Sequence, residues 1–135
     1  MDSLILISHG DFGKELKKSA EMILGPQEMI HTVSLLPNEG EEEFTEKFEA
    51  VTKALDDNFV VFADLMGGTP CNIASKKLMN GAQFDLYTGM SMPMVISFIN
   101  ALLIGNTQNL VSEAQQSIVK VNDLLAADDF DEEDE

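Results

Sequence analysis

The sequence predicts an α/β fold of three layers, α/β/α, built around a mainly parallel four-stranded sheet. Three observations carry this reading. The aliphatic runs Leu4-Ile5-Leu6-Ile7 and Phe59-Val60-Val61-Phe62-Ala63 do not alternate with polar residues, the pattern of strands buried on both faces. Each run is followed by apolar residues at helical spacing, so strand and helix signals take turns along the chain. Glycine, proline, asparagine and aspartate mark the junctions between them.

The first strand ends at Ser8-His9-Gly10-Asp11, four polar or small residues in a row. Phe12, Leu16, Ala20, Ile23 and Leu24 then recur at helical spacing until Gly25-Pro26 stops the helix. Met29 to Leu35 reads as the second strand, ended by Pro37-Asn38-Glu39-Gly40. Phe44, Phe48, Val51 and Leu55 define the second helix. Glu41, Glu42 and Glu43 fall in its first turn, where the helix dipole favours acids. The third strand ends at Asp64. After Leu65-Met66-Gly67-Gly68, Thr69-Pro70 reads as an N-cap followed by proline at the first helical position. Ile73, Ala74 and Leu78 give that helix an inward face, and Asn80-Gly81 ends it.

Phe84 to Thr88 is the fourth strand, followed by Gly89-Met90-Ser91-Met92-Pro93. A helix from about Met94 to Leu103 is apolar nearly all round, which calls for cover from the sheet or from another subunit. A helix near Leu110 to Gln116 and a short last strand, Ile118-Val119-Lys120-Val121, complete the domain, whose limits are set at residues 1–127. Seven of the last eight residues, 128–135, are acidic, and this block reads as a tail or the start of a linker.

Composition narrows the function classes. At 135 residues and 44% hydrophobic content, the chain can bury a core without disulfides, and its single cysteine, Cys71, fits a reducing compartment. No apolar run reaches the length of a membrane span, and Met1-Asp2-Ser3 does not resemble a secretory signal, so a soluble, cytoplasmic protein is expected. The formal net charge of −16 repels phosphate backbones and anionic lipid, which disfavours nucleic acid and membrane surfaces and favours basic proteins as partners. Two histidines and one cysteine, widely spaced, form no recognisable metal site, and no cofactor is expected.

In open α/β sheets the site lies beyond the carboxyl ends of the strands. That rule gathers Ser8 to Asp11, Asp64 to Thr69 and Gly89 to Pro93. These segments supply a histidine, a carboxylate, a glycine turn feeding a helix N-terminus and a threonine hydroxyl. The set suits phosphoryl transfer. A neutral imidazole is a good nucleophile near pH 7, and its N–P bond is labile enough to pass the group onward. Asp64 is the candidate to hold Nδ1–H of His9 and leave Nε2 to attack. Gly67 and Gly68 let backbone N–H groups approach a phosphate, with Thr69 and the helix dipole beside them.

Taken singly, each residue has an ordinary explanation: His9 as a loop residue, Asp64 as a turn cap, the glycines as a permissive turn. The glycine turn lacks the lysine of a Walker A motif, and no Cys-x5-Arg loop is present. His31 sits mid-strand as a structural or surface histidine, and Cys71 as a packing residue. Met66, Met90, Met92 and Met94 flank the proposed site, either as core or as an adaptable docking surface.

Three stretches in order, LILISHGDFG, VFADLMGGTPCN and LYTGMSMPM, resemble the enzyme IIA component of the mannose/fructose/sorbose class of the bacterial sugar phosphotransferase system. The likeness runs from Leu4 to about Val121. It implies that His9 takes a phosphoryl group from the phosphocarrier protein HPr and passes it to a IIB domain, meeting the membrane only indirectly through IIC and IID subunits. By the same resemblance, Asp64 orients His9 and Thr69 lies near the phosphoryl group. It further implies a homodimer in which a C-terminal strand, here residues 118–121, is exchanged between subunits. The alternatives are the phosphoryl donor of a dihydroxyacetone kinase and a non-catalytic regulatory module on the same scaffold.

Overall fold

The computed structural model describes residues 3–56, 58–106 and 109–126. The acidic block 128–135 and the domain limit at 127 lie outside the described residues. The strands are β1 (Ser3–His9), β2 (Ile30–Leu35), β3 (Phe59–Ala63) and β4 (Asp85–Tyr87). The helices are α1 (Phe12–Leu24), α2 (Glu41–Ala54), α3 (Thr69–Met79), α4 (Met92–Ile104), α5 (Leu110–Gln116) and α6 (Val121–Leu125). All pairings are parallel, in the order β2-β1-β3-β4.

Strand side chains alternate between faces, so each aliphatic run feeds two cores at once. Leu4, Leu6, Val60 and Phe62 join α1, α4 and α5 through Leu16, Ala20, Val95, Phe98 and Leu110. Ile5, Ile7, Val61 and Ala63 face α2 and α3 through Phe44, Phe48, Cys71, Ile73 and Ala74. Two dry layers therefore clamp β1 and β3, whose apolar side chains are buried throughout.

The strand order reverses direction between β1 and β3. The chain leaves β1 for β2 through α1 on one face, and leaves β3 for β4 through α3 on the other. The C-terminal ends of β1 and β3 thus flank the sheet's switch point, where the two connections part and a crevice opens.

Some expectations need correction. Phe12 and Ile23 are 50% and 65% exposed, because the buried stripe of α1 is Gly13, Leu16 and Ala20, and the two residues lie in the first and last turns, at its ends. Residues 118–121 form no strand: 118–120 have no regular structure and Val121 opens α6. Their β-branched content favours an extended backbone, but a strand also needs a neighbouring edge, and among the described residues this segment pairs with none. Helix α4 is only partly covered: Val95, Phe98 and Ile99 are buried, whereas Leu103 and Ile104 project into solvent.

Candidate functional site

The register of β1 on β3 pairs Ile7 with Ala63, so the next residues leave the sheet side by side, and Asp64 N–H donates to the Ile7 carbonyl at 3.1 Å. The Asp64 carboxylate then turns onto His9. Oδ2 accepts the His9 backbone N–H at 2.8 Å and also lies 2.8 Å from His9 Nδ1. Oδ1 accepts the Leu65 N–H at 2.9 Å. The Asp64 side chain is 9% exposed and that of His9 48%, so the carboxylate is sheltered while the ring reaches the surface. An acceptor at Nδ1 keeps the proton there and leaves the Nε2 lone pair for other chemistry.

The glycine turn closes over the same ring. Gly67 has φ +91°, a conformation that side chains disfavour. Gly68 is extended and lies so near His9 that an added Cβ would stand 2.4 Å from Cε1 and 3.0 Å from Nε2. Asn72 ties the turn from below: its backbone N–H donates to Gly68 O at 2.8 Å and its carboxamide to Gly67 O at 3.4 Å. The N-cap of α3 is Gly68 rather than Thr69, which becomes the first helical residue with Pro70 behind it. Only a residue without Cβ can sit at the cap with its backbone against the imidazole.

His9, Asp64 and Gly68 therefore converge, with Gly67 and Thr69 on either side of Gly68. Gly89 to Pro93 shares the same edge of the sheet: Met90 N–H donates to Ala63 O at 3.2 Å, and Ser91 Oγ caps α4 by accepting Met94 N–H at 3.3 Å. Of the flanking methionines, Met90 and Met94 are core residues and Met92 packs against that core, whereas Met66 is 79% exposed.

Sequence reasoning missed Ser8. It is the buried polar residue of the core, fully enclosed, and its hydroxyl donates to Gly10 O at 3.0 Å while accepting Gly13 N–H at 2.9 Å. This bridge fixes the bend that carries His9 off β1. A serine at the inward end of an aliphatic run was the available signal. On the other side, Ser34 Oγ donates to Asp11 Oδ1 at 2.9 Å and ties the bend to β2.

His31 is partly buried on β2, and burial, followed by the nearby Lys17 charge, pushes its pKa down. Cys71 is buried in the first turn of α3, with Sγ 4.0 Å from Ser75 Oγ. Among the described residues, no group of three histidine, cysteine or acidic side chains gathers to hold a metal. A cavity of about 690 Å³ lies beside β4, lined by Tyr87, Gly89, Pro93, Val111 and Ile118, and His9 is not in its wall.

The sequence profile of the family described as PTS system fructose IIA component matches residues 3–115. The fructose-specific EIIA component of Bacillus subtilis is 30% identical over 102 residues, covering 74% of this chain and 70% of that protein. The mannose-specific EIIAB component of Escherichia coli is 30% identical over 101 residues, 73% of this chain. The match spans only 31% of that longer protein's length. Among solved structures, the PTS IIA protein associated with the fucose utilization operon of Streptococcus pneumoniae superposes with a TM-score of 0.81 at 29% identity, covering 91% of this chain and 95% of that one.

Proposed function

The chain belongs to the mannose-class family of phosphotransferase-system IIA components, and from that premise we propose that it is a phosphohistidine carrier in sugar uptake. In this reading His9 accepts a phosphoryl group from phospho-HPr and hands it to a IIB domain. The observation that carries it is the 2.8 Å contact between His9 Nδ1 and Asp64 Oδ2, beside a glycine turn at a helix N-terminus.

The Nε2 lone pair attacks phosphorus. The N–P bond in the donor's phosphohistidine breaks, its electron pair returns to the donor ring, and a new N–P bond forms at Nε2. No proton need move: Nδ1–H stays in place, and the positive charge that develops on the ring faces the Asp64 carboxylate. The three equatorial oxygens meet the backbone of Gly67 and Gly68, the Thr69 hydroxyl and the positive end of α3. The same geometry serves the second transfer, with His9 as leaving group.

Supplying phosphoenolpyruvate, enzyme I and HPr should give an acid-labile, base-stable phosphate on the chain. His9→Ala should abolish it, and Asp64→Ala should slow it by about 10²-fold or more. Labelling that survives His9→Ala, or wild-type rates in Asp64→Ala, would overturn the reading.

A homodimer also belongs to it. Among the described residues β4 pairs with no strand on its outer side, and Val111 and Ile118, both more than half exposed, line the cavity beside it. A second subunit packed against this edge would cover both features, and a monomeric mass in solution would refute the homodimer. Sugar choice, on this reading, lies with membrane subunits outside the chain. No helix among the described residues is long and apolar enough to cross a bilayer.

A further inference from the structure

Two glycines in succession leave the peptide bond between them with no side chain to hold it. Gly67 is required by its φ of +91°, and Gly68 by the His9 ring, which an added Cβ would strike. Turning that peptide over changes only ψ of Gly67 and φ of Gly68, two torsions that meet no Cβ. The turn is therefore free to flip, and a group outside it must choose the face.

Asn72 makes the choice. Its backbone N–H donates to Gly68 O at 2.8 Å, and its side-chain Nδ2 donates to Gly67 O at 3.4 Å. A carbonyl only accepts, so the carboxamide nitrogen is the atom that faces Gly67. Within a planar trans peptide, C=O and N–H point opposite ways. With both carbonyls drawn toward α3, the N–H groups of Gly68 and Thr69 point off its N-terminus. Neither has an acceptor among the described residues. Gly68 also lies nearer to Nε2 than to Nδ1, its added Cβ standing 3.0 Å from the first and 3.7 Å from the second.

We propose that Asn72 is a positioning residue for phosphoryl transfer. Its carboxamide locks the Gly67–Gly68 peptide, so that the N–H groups of Gly68 and Thr69 meet the phosphoryl oxygens as phosphorus reaches Nε2. The proposal rests on the function given above and names the group that prepares its cradle. Asn72 hydrogen-bonds neither His9 nor Asp64; it is exposed on the first turn of α3 and acts through the backbone alone. Donors fixed before the charge arrives need not reorganise when it does. A flipped peptide would instead turn Gly67 O toward the equatorial oxygens and repel them.

Asn72→Ala tests this in the full chain. Alanine removes the donor and has the higher helix propensity at an exposed site, so the variant should melt no lower than wild type. Single-turnover labelling of His9 should slow by about tenfold with each of two donors. One is phospho-HPr; the other is phosphoramidate, whose P–N bond breaks to release ammonia as the Nε2–P bond forms. The phospho-HPr concentration for half-maximal rate should stay within about twofold of wild type, since no partner contact is lost. In amide NMR spectra, the Gly68 proton should move downfield when wild-type His9 is phosphorylated and stay near its starting position in Asn72→Ala.

Wild-type rates with both donors overturn the proposal. So does a loss seen with phospho-HPr alone, which would make Asn72 a partner contact. An undiminished Gly68 shift in the variant refutes it too, and with a melting point several degrees lower it would assign Asn72 to stability. Failure of both donors to label His9 in the wild-type protein would instead sink the function on which the proposal stands.

Discussion

Replacing Gly68 by alanine puts the geometry around His9 to a quantitative test. The new Cβ would lie 2.4 Å from Cε1 and 3.0 Å from Nε2. Ordinary carbon contacts begin near 3.5 Å, so the ring must retreat by about 1 Å or rotate outward. Either motion strains the 2.8 Å bond to Asp64, which cannot follow because its two oxygens also hold the backbone N–H groups of His9 and Leu65. A hydrogen bond to a charged group contributes about 1.5–3 kcal/mol, and an exposed ring sits toward the low end. Misplacing the nucleophile by 1 Å costs on the order of 10² in rate.

The backbone itself tolerates the change, since Gly68 has φ −92° and ψ 170°. Alanine there restricts the unfolded chain and returns about 0.4–1 kcal/mol. Gly68→Ala should therefore melt within a few degrees of wild type while its single-turnover phosphorylation, followed by rapid quench from phospho-HPr, falls about 100-fold. Gly67→Ala gives the contrast. Its Cβ meets nothing within 4 Å, but φ is +91°, so it should lose stability by about 1–3 kcal/mol and transfer rate by much less. Near-normal phosphorylation in Gly68→Ala, with an unshifted His9 Nδ1–H resonance, would refute the reasoning.

Two further predictions follow from residues outside the transfer step. Ser8→Ala leaves the buried Gly13 N–H without its acceptor, so chemical denaturation should show a loss of about 1–3 kcal/mol, and phosphorylation should slow although Ser8 touches no reacting atom. His31 has its pKa lowered by burial and by Lys17, so the unfolded chain takes up that proton first as pH falls through the ordinary value of 6.5. Stability is untouched above pH about 7 and is lost on acidification below it. Comparing His31→Gln with wild type from pH 8 to 5 should show the variant losing less; parallel curves would contradict this.

Much of the fold was legible because local pattern and long-range packing agree. The aliphatic runs at 4–7 and 59–63 are the two inner strands, and Phe44 and Phe48 are fully covered as their spacing requires. The Asp64 contact was legible from a rule about strand ends, although 55 residues separate it from His9. What the sequence hid was proximity finer than topology. No pattern says that Gly68 rather than Thr69 caps α3, since the reason is a ring brought in from another strand. Ser8 looked like one polar residue among four, and only its enclosure makes its hydroxyl a brace. Residues 118–121 misled because β-branched side chains encode a preference for extension and not the neighbour that extension needs. The methionines stayed open between core and surface for the same reason, since only their place in the fold separates Met66 from Met90 and Met94.

The shared oxygen of Asp64 has a further consequence. Because Oδ2 grips both the main chain and the ring of His9, the imidazole cannot swivel to greet whichever visitor arrives. If His9 carries the group as proposed, giver and receiver must come along one line, toward one nitrogen, through one doorway. On the proposed function they would exclude each other, so delivery and collection would take turns, and the chain would work as a turnstile rather than a bridge.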